Sequence, residues 1–154
     1  MDHIFRIRIS DLHQASQVLI LQREAYLVEA GLIGFTGIPP LQESLHQLMQ
    51  SEETFVGYGN ARYLSGFIAL ETAAPGEMTI SRLCVSPVEF RKGIASRLLA
   101  AVFSEFPGIK TFRVTTGAAN TPAVNFYSNS GFISEGSRWV ANGKLQIACF
   151  VYSR

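Results

Sequence analysis

Apolar and polar residues alternate with a period near two at the start of the chain. Ile4, Ile7 and Ile9 share that stretch with Arg6 and Arg8, which predicts a strand over residues 4 to 9. Ser10 and Asp11 are residue types that cap a helix start, and residues 12 to 28, rich in Leu, Gln, Arg, Glu and Ala, predict a first helix. Gly31, Gly34, Gly37 and the Pro39-Pro40 pair break it, after which Leu41, Leu45 and Leu48 trace the apolar stripe of a second helix. The intervening loop carries Leu32, Ile33, Phe35 and Ile38 and is unusually apolar. A period of two returns in residues 54 to 58 and 63 to 71, with Gly59 and Asn60 between them as a hairpin signature. Pro75-Gly76 turns the chain into a third candidate strand, residues 78 to 85.

The spacing then becomes helical. Ile94, Leu98, Ala101 and Val102 share one face of a helix that Pro107-Gly108 ends. Residues 111 to 115 read as a strand, and 122 to 130 as a short helix with Pro in its first turn and Gly131 as its C-terminal cap. Two final strands, 132 to 140 and 144 to 152, flank Asn142-Gly143, a type I′ hairpin signal. The order β-α-α-β-β-β-α-β-α-β-β is neither fully alternating nor segregated. It predicts an α/β (α+β mixed) architecture with one mixed sheet flanked by about four helices. No repeat or linker appears, so residues 1–154 are expected to form a single domain.

Composition narrows the partners. The chain has 154 residues, 47% of them hydrophobic, with 13 Lys+Arg against 12 Asp+Glu, which is enough apolar material for a core and too little charge imbalance for disorder. No run of like charges offers a footprint for nucleic acid or an anionic membrane, so neither is expected as a partner. Cys84 and Cys149 lie in apolar, strand-like runs without a second ligand at metal spacing, and His3, His13 and His46 are scattered. Buried thiols in a reducing cytosol and no metal site are the expectation. The opening residues alternate like a strand and lack a leader's apolar stretch. The charge-free stretch 114 to 134 is too rich in Thr, Asn, Ser, Gly and Pro for hydrocarbon. A soluble cytoplasmic protein is the expectation from these features.

The stretch most informative about chemistry runs from Leu83 to Leu99: a strand, a basic turn containing Arg91 and Lys92, then a helix whose start contains Gly93 and Ala95. Helix N-termini leave backbone N–H groups unpaired and carry partial positive charge, so small residues there let an anion approach the backbone. The same residues also suit a tight turn with a solvated basic pair. The spacing is neither that of a Walker loop nor that of a dinucleotide fingerprint.

Val85-x-Pro87 followed by Phe90-Arg91-Lys92-Gly93-Ile94-Ala95 resembles the acyl-CoA-binding motif of the GNAT superfamily of N-acetyltransferases, Gln/Arg-x-x-Gly-x-Gly/Ala. Gly93 and Ala95 match, and Phe90 stands where the pattern has Gln or Arg. Downstream, Asn120, Ala123, Tyr127, Gly131 and Phe132 fall in register with the family segment Asn-x-x-Ala-x-x-x-Tyr-x-x-x-Gly-Phe. The resemblance is strongest over residues 78 to 134. It implies a mostly antiparallel sheet whose two parallel strands, 78 to 85 and 111 to 115, splay apart to admit the pantetheine arm of acetyl-CoA. It further implies that backbone groups of Leu83, Cys84 and Val85 pair with the pantetheine amides. The turn of Arg91, Lys92, Gly93, Ile94, Ala95 and Ser96 would hold the pyrophosphate, and Asn120 and Tyr127 would lie near the thioester.

The implied activity is that of an acyltransferase for groups other than aminoacyl groups: attack of a primary amine on the thioester through a tetrahedral intermediate. A neutral amine, an oxyanion donor and a proton for the sulfur are then required. Tyr127 is the implied acid. Proton transfer from an unperturbed phenol near 10 to a thiolate near 8.5 is uphill by about 2 kcal/mol, which favours hydrogen-bond stabilisation of the thiolate. Glu71 and Glu77, at strand ends, are the candidate bases, each equally readable as a solvated carboxylate. In this family the acceptor is recognised by the first two helices and their loop, here residues 26 to 49, whose apolar side chains line a pocket or form the core beneath it. A small-molecule or peptide amine fits the absence of acidic clusters and basic stripes. A non-catalytic acyl-CoA sensor or partner module is the alternative. Phe150 and Tyr152 leave core and homodimer interface both open.

Overall fold

The computed structural model describes residues 1–37 and 39–154. Among them thirteen regular elements succeed one another: β1 (His3–Ile7), α1 (Leu12–Ile33), α2 (Pro39–Gln42), α3 (Leu45–Met49), β2 (Thr54–Gly59), β3 (Leu64–Ala74), β4 (Glu77–Val85), a single 3-10 turn (Pro87–Glu89), α4 (Ile94–Glu105), β5 (Thr111–Gly117), α5 (Thr121–Asn129), β6 (Ile133–Val140) and β7 (Leu145–Ser153). The expected α/β mixed order is present with two differences in the first third of the chain. Ile38, part of the apolar loop expected there, lies outside the described residues.

The first difference is the length of α1. Asp11 caps its start by accepting from Gln14 N, as anticipated, but the helix runs through Gly31 and stops at Gly34, whose φ of 68° provides the left-handed exit. The second is that the stripe Leu41, Leu45, Leu48 belongs to two short helices. Ser44 opens α3 with a reciprocal cap in which its hydroxyl accepts from Gln47 N while the Gln47 side chain accepts from Ser44 N. That capping box interrupts what the apolar spacing alone reads as continuous.

Seven strands form one sheet in the order β1-β2-β3-β4-β5-β7-β6, and every neighbouring pair is antiparallel except β4 with β5. Each face is covered. On one side Ala15, Val18 and Leu19 of α1 and Leu48 of α3 pack on Phe55 and Phe67; on the other Leu98 and Val102 of α4 and Tyr127 of α5 pack on Ile80, Phe112 and Phe150. Phe150 is buried, and Tyr152 stacks on Phe103 with ring centroids 4.5 Å apart, so these C-terminal aromatics build core. The hairpin at Asn142-Gly143 forms with φ values of 58° and 79°, closed by Lys144 N donating to Ala141 O at 3.2 Å. Among the described residues no helix is long and apolar enough to cross a membrane.

Candidate active site

The two parallel strands pair only at Glu77 to Ile80 against Thr111 to Val114. Past that point β4 continues to Val85 and β5 to Gly117, and a cleft of about 690 Å³ opens between them. It is lined by Leu83, Cys84 and Val85 of β4, by Thr115 and Thr116 of β5, by the start of α4, by Asn120, Ala123 and Tyr127 around α5, and by one face of α1. The backbone edge of β4 that faces this gap has no strand beside it among the described residues, while its other edge pairs with β3 at Ile68, Phe67 and Gly66. An extended amide-bearing ligand meets there the edge that a peptide strand would meet.

At one end of the cleft the chain turns into α4 through two left-handed residues, Arg91 (φ 67°) and Gly93 (φ 76°). No side chain caps this helix, so the N–H groups of its first turn face the cleft without an internal acceptor. Gly93, Ile94, Ala95 and Ser96 line that end with Arg91 beside them and the half-exposed ring of Phe90 at the rim. Lys92 is absent from the lining. Its ammonium pairs at 2.9 Å with Glu89, which does line the cleft.

Toward the other end stands Tyr127, buried among Phe126, Phe132 and Phe150 with its side chain bordering the cleft. Burial, reinforced by the charge of Glu29 and by Cys84, holds its phenol well above the ordinary value for tyrosine. Asn120 uses its side-chain oxygen to accept from Ala123 N at 3.3 Å and so caps α5, which fixes the turn that presents Tyr127. Cys84 lies against Tyr26 on the α1 side. Burial raises its thiol far above the usual range despite a hydrogen bond from Tyr26, so it is a neutral lining group.

Two sequence-derived candidates are not brought to the cleft. Glu77 sits at the paired start of β4 and points to Arg113 at 3.9 Å. Glu71 is exposed at the far part of β3 and borders a separate, shallower polar depression with Glu43, Glu53 and Arg82. Two carboxylates do line the cleft: Glu89, which pairs with Lys92, and Glu29 of α1, which accepts from the Thr116 hydroxyl at 3.4 Å. Sequence reasoning missed Glu29 because ending the first helix at residue 28 hid the stripe Ala25, Val28, Glu29 and Leu32, whose helical spacing sets one face toward the cleft.

A second missed feature stiffens the cleft wall. Arg82 donates to Glu43 at 2.6 and 3.1 Å, to Glu53 at 2.7 and 3.0 Å and to Gln22 at 2.8 Å, tying α1, the segment before α3, and the start of β2 to β4. Burial works against the charge of Glu53, but hydrogen bonds from Arg82 and Ser81 outweigh it and hold the carboxyl below its ordinary value.

An acetyltransferase (GNAT) domain family model matches residues 26–147. The UPF0157 protein YqkA of Bacillus subtilis (strain 168) is 37% identical over 140 residues, which is 91% of this chain and 40% of that relative. This chain thus spans less than half the length of that relative. The solved ribosomal-protein-S18-alanine N-acetyltransferase of Escherichia coli superposes with a TM-score of 0.76 at 17% identity, over 99% of this chain and 94% of that one. The PaiA N-acetyltransferase of Thermoplasma acidophilum, solved in complex with coenzyme A, gives 0.76 at 22% identity over 99% of both chains. The smu.2055 structure from Streptococcus mutans gives 0.79 at 19% identity over 98% of both.

Proposed function

The chain belongs to the GNAT acetyltransferase family, and on that premise we propose that it is an acyltransferase that moves the acetyl group of acetyl-CoA to a primary amine of a small molecule or peptide by direct attack. The observation that carries this reading is the gap between β4 and β5, whose lining includes both the uncapped start of α4 and Tyr127. A ligand with an anionic head, an amide-bearing arm and a reactive tip has a matching surface at each stage. The pyrophosphate meets the N–H groups of Gly93 to Ser96 with Arg91 beside them, the pantetheine amides meet the open edge of Leu83, Cys84 and Val85, and the thioester lies by Tyr127.

Positioning is the first contribution of the protein, since holding amine and thioester together converts a bimolecular step into a local one. The second is Tyr127. With its phenol raised above the ordinary value, complete proton transfer to a departing thiolate costs more than the ~2 kcal/mol of unperturbed groups. Tyr127 therefore acts as a hydrogen-bond donor to the developing sulfur charge, and the proton follows as the thiol is released. The continuous sheet from β1 to β7 supports the companion proposal that residues 1–154 work as one domain.

The test is the thermal midpoint of the purified chain with and without excess acetyl-CoA, followed by thiol release with a panel of amines. Ligand at 100 times its dissociation constant stabilises by about 2.7 kcal/mol. A clear rise with amine-dependent thiol release supports acetyl transfer. A rise without turnover for any amine would make the domain an acyl-CoA sensor, and no rise at millimolar acetyl-CoA withdraws the reading.

A further inference from the structure

We propose that Glu29 receives the acceptor, holding its ammonium and taking a proton from the nitrogen, and that the acceptor is a monoamine on an apolar body; this rests on the acetyl-transfer reading above. The charges around the cleft single Glu29 out. Arg82 is engaged by Glu43 and Glu53, and Glu89 is paired with Lys92. Arg91 also lines the cleft, in the turn before α4, and makes no ion pair with Glu29. Among the described residues no cation lies within ion-pair distance of Glu29, and its contact is the neutral Thr116 hydroxyl. Glu29 is half-buried at the cleft and has no protein cation as partner among the described residues, and a protonated amine bound there would be its counter-charge.

Location agrees with that role. Glu29 reaches the gap from the α1 side of the sheet, whereas Tyr127 belongs to the core on the α4 and α5 side. The two are near enough for the Glu29 charge to act on Tyr127. Base and sulfur-directed donor thus stand on opposite sides of the opening through which the acyl group must pass. Val28 and Leu32, on the same helix face, are exposed at 39% and 47% and line the cleft around Glu29, so the body of an amine bound there meets apolar surface.

The proton account closes without a further reagent. An ammonium nitrogen has no lone pair, so the bound amine first releases one proton to solvent through Glu29; the neutral nitrogen then attacks, and Glu29 takes a second proton as C–N bond formation makes that nitrogen strongly acidic. The C–S bond then breaks with its electron pair on sulfur, which ends as the thiol. Of the three protons of the ammonium, the one released before attack goes to solvent, the one taken by Glu29 during attack balances the one that sulfur acquires, and the third stays on the amide nitrogen.

The experiment compares the full-length protein with Glu29→Gln and Glu29→Ala, using acetyl-CoA with butylamine, 2-phenylethylamine, putrescine and spermidine. The proposal expects both variants to keep the thermal rise with acetyl-CoA and to lose at least about 10²-fold in thiol release. Formate should restore part of the Glu29→Ala rate, and the two monoamines should outrun the polyamines in the unaltered protein. Turnover of Glu29→Gln within threefold of the parent overturns the role of Glu29 and leaves acetyl transfer standing; preference for polyamines overturns the acceptor class. Should the variants fail to fold, the unaltered protein decides. A quaternary ammonium analogue of a working amine should compete at least tenfold better than its uncharged tert-butyl isostere, and equal competition overturns the proposal. An unaltered protein that neither binds acetyl-CoA nor releases thiol removes the underlying reading and this one with it.

Discussion

Ile80 and Val114 are the last residues to pair across the parallel junction of β4 and β5, and the residue after Ile80 is a bulge. On its other edge β4 pairs Ile80 with Leu70 and then Arg82 with Ala69, so Ser81 is the extra residue. A bulge bends its strand and sharpens the local twist, which swings the rest of β4 away from β5 and ends their hydrogen bonding at that point. The same irregularity lets two consecutive side chains, Ser81 and Arg82, both reach Glu53. One extra residue therefore opens the cleft and anchors its wall.

Tyr127 is expected to act through its hydroxyl. Tyr127→Phe should lower thiol release by about 10²-fold or more while the thermal rise with acetyl-CoA persists. Because burial and the Glu29 charge raise the phenol above its ordinary 10.0, it stays protonated at every pH below that value. The ratio of parent to variant rates should then be constant from pH 6 to pH 10. A falling ratio with a midpoint inside that interval would remove the tyrosine from this role.

The Arg82 cluster makes a stability prediction with a defined pH window. Arg82→Met leaves Glu43 and Glu53 partly buried without their cation, and loss of one partner of a buried pair costs about 3 kcal/mol. For a domain of this size that is a fall of about 9 °C in thermal midpoint. Glu53 is held below its ordinary 4.5, so its contribution is present above that pH and is lost as pH falls through the depressed folded value. The gap between parent and variant should be widest near neutrality and narrow below pH 4.5, measurable by urea unfolding across that range.

How much of this was legible in the chain depends on the range of each interaction. Gly93 and Asn120 act on backbone within three residues of themselves; Gly93 was readable from its place at a helix start, and Asn120 from the resemblance to the family segment. The partners of Arg82 are 29, 39 and 60 residues away, and no local pattern couples them. Glu29 stayed hidden because Gly31 reads as a helix breaker, whereas the sheet-packed helix carries it through to Gly34. Glu77 was read as preceding the strand that it begins, and which end of β4 opens depends on the bulge at Ser81, a property of three strands together.

Arg91 tests whether the turn before α4 is shaped for its ligand or for the free protein. A non-glycine residue at a φ of 67° carries left-handed strain of about 1 kcal/mol, which glycine at the same site does not. Replacing Arg91 by Gly removes that strain and adds flexibility to the unfolded chain, an offset of about 0.4 to 1 kcal/mol. The free Arg91→Gly protein should therefore be as stable as the parent or slightly more so. If the guanidinium contacts the pyrophosphate, the variant also loses a charge-assisted hydrogen bond, and acetyl-CoA affinity should fall about tenfold with a weaker dependence on salt. Calorimetric titration at two ionic strengths separates the outcomes. Unchanged affinity would leave the backbone of α4 as the whole of the anion site, whereas lost stability with unchanged affinity would make Arg91 a folding residue.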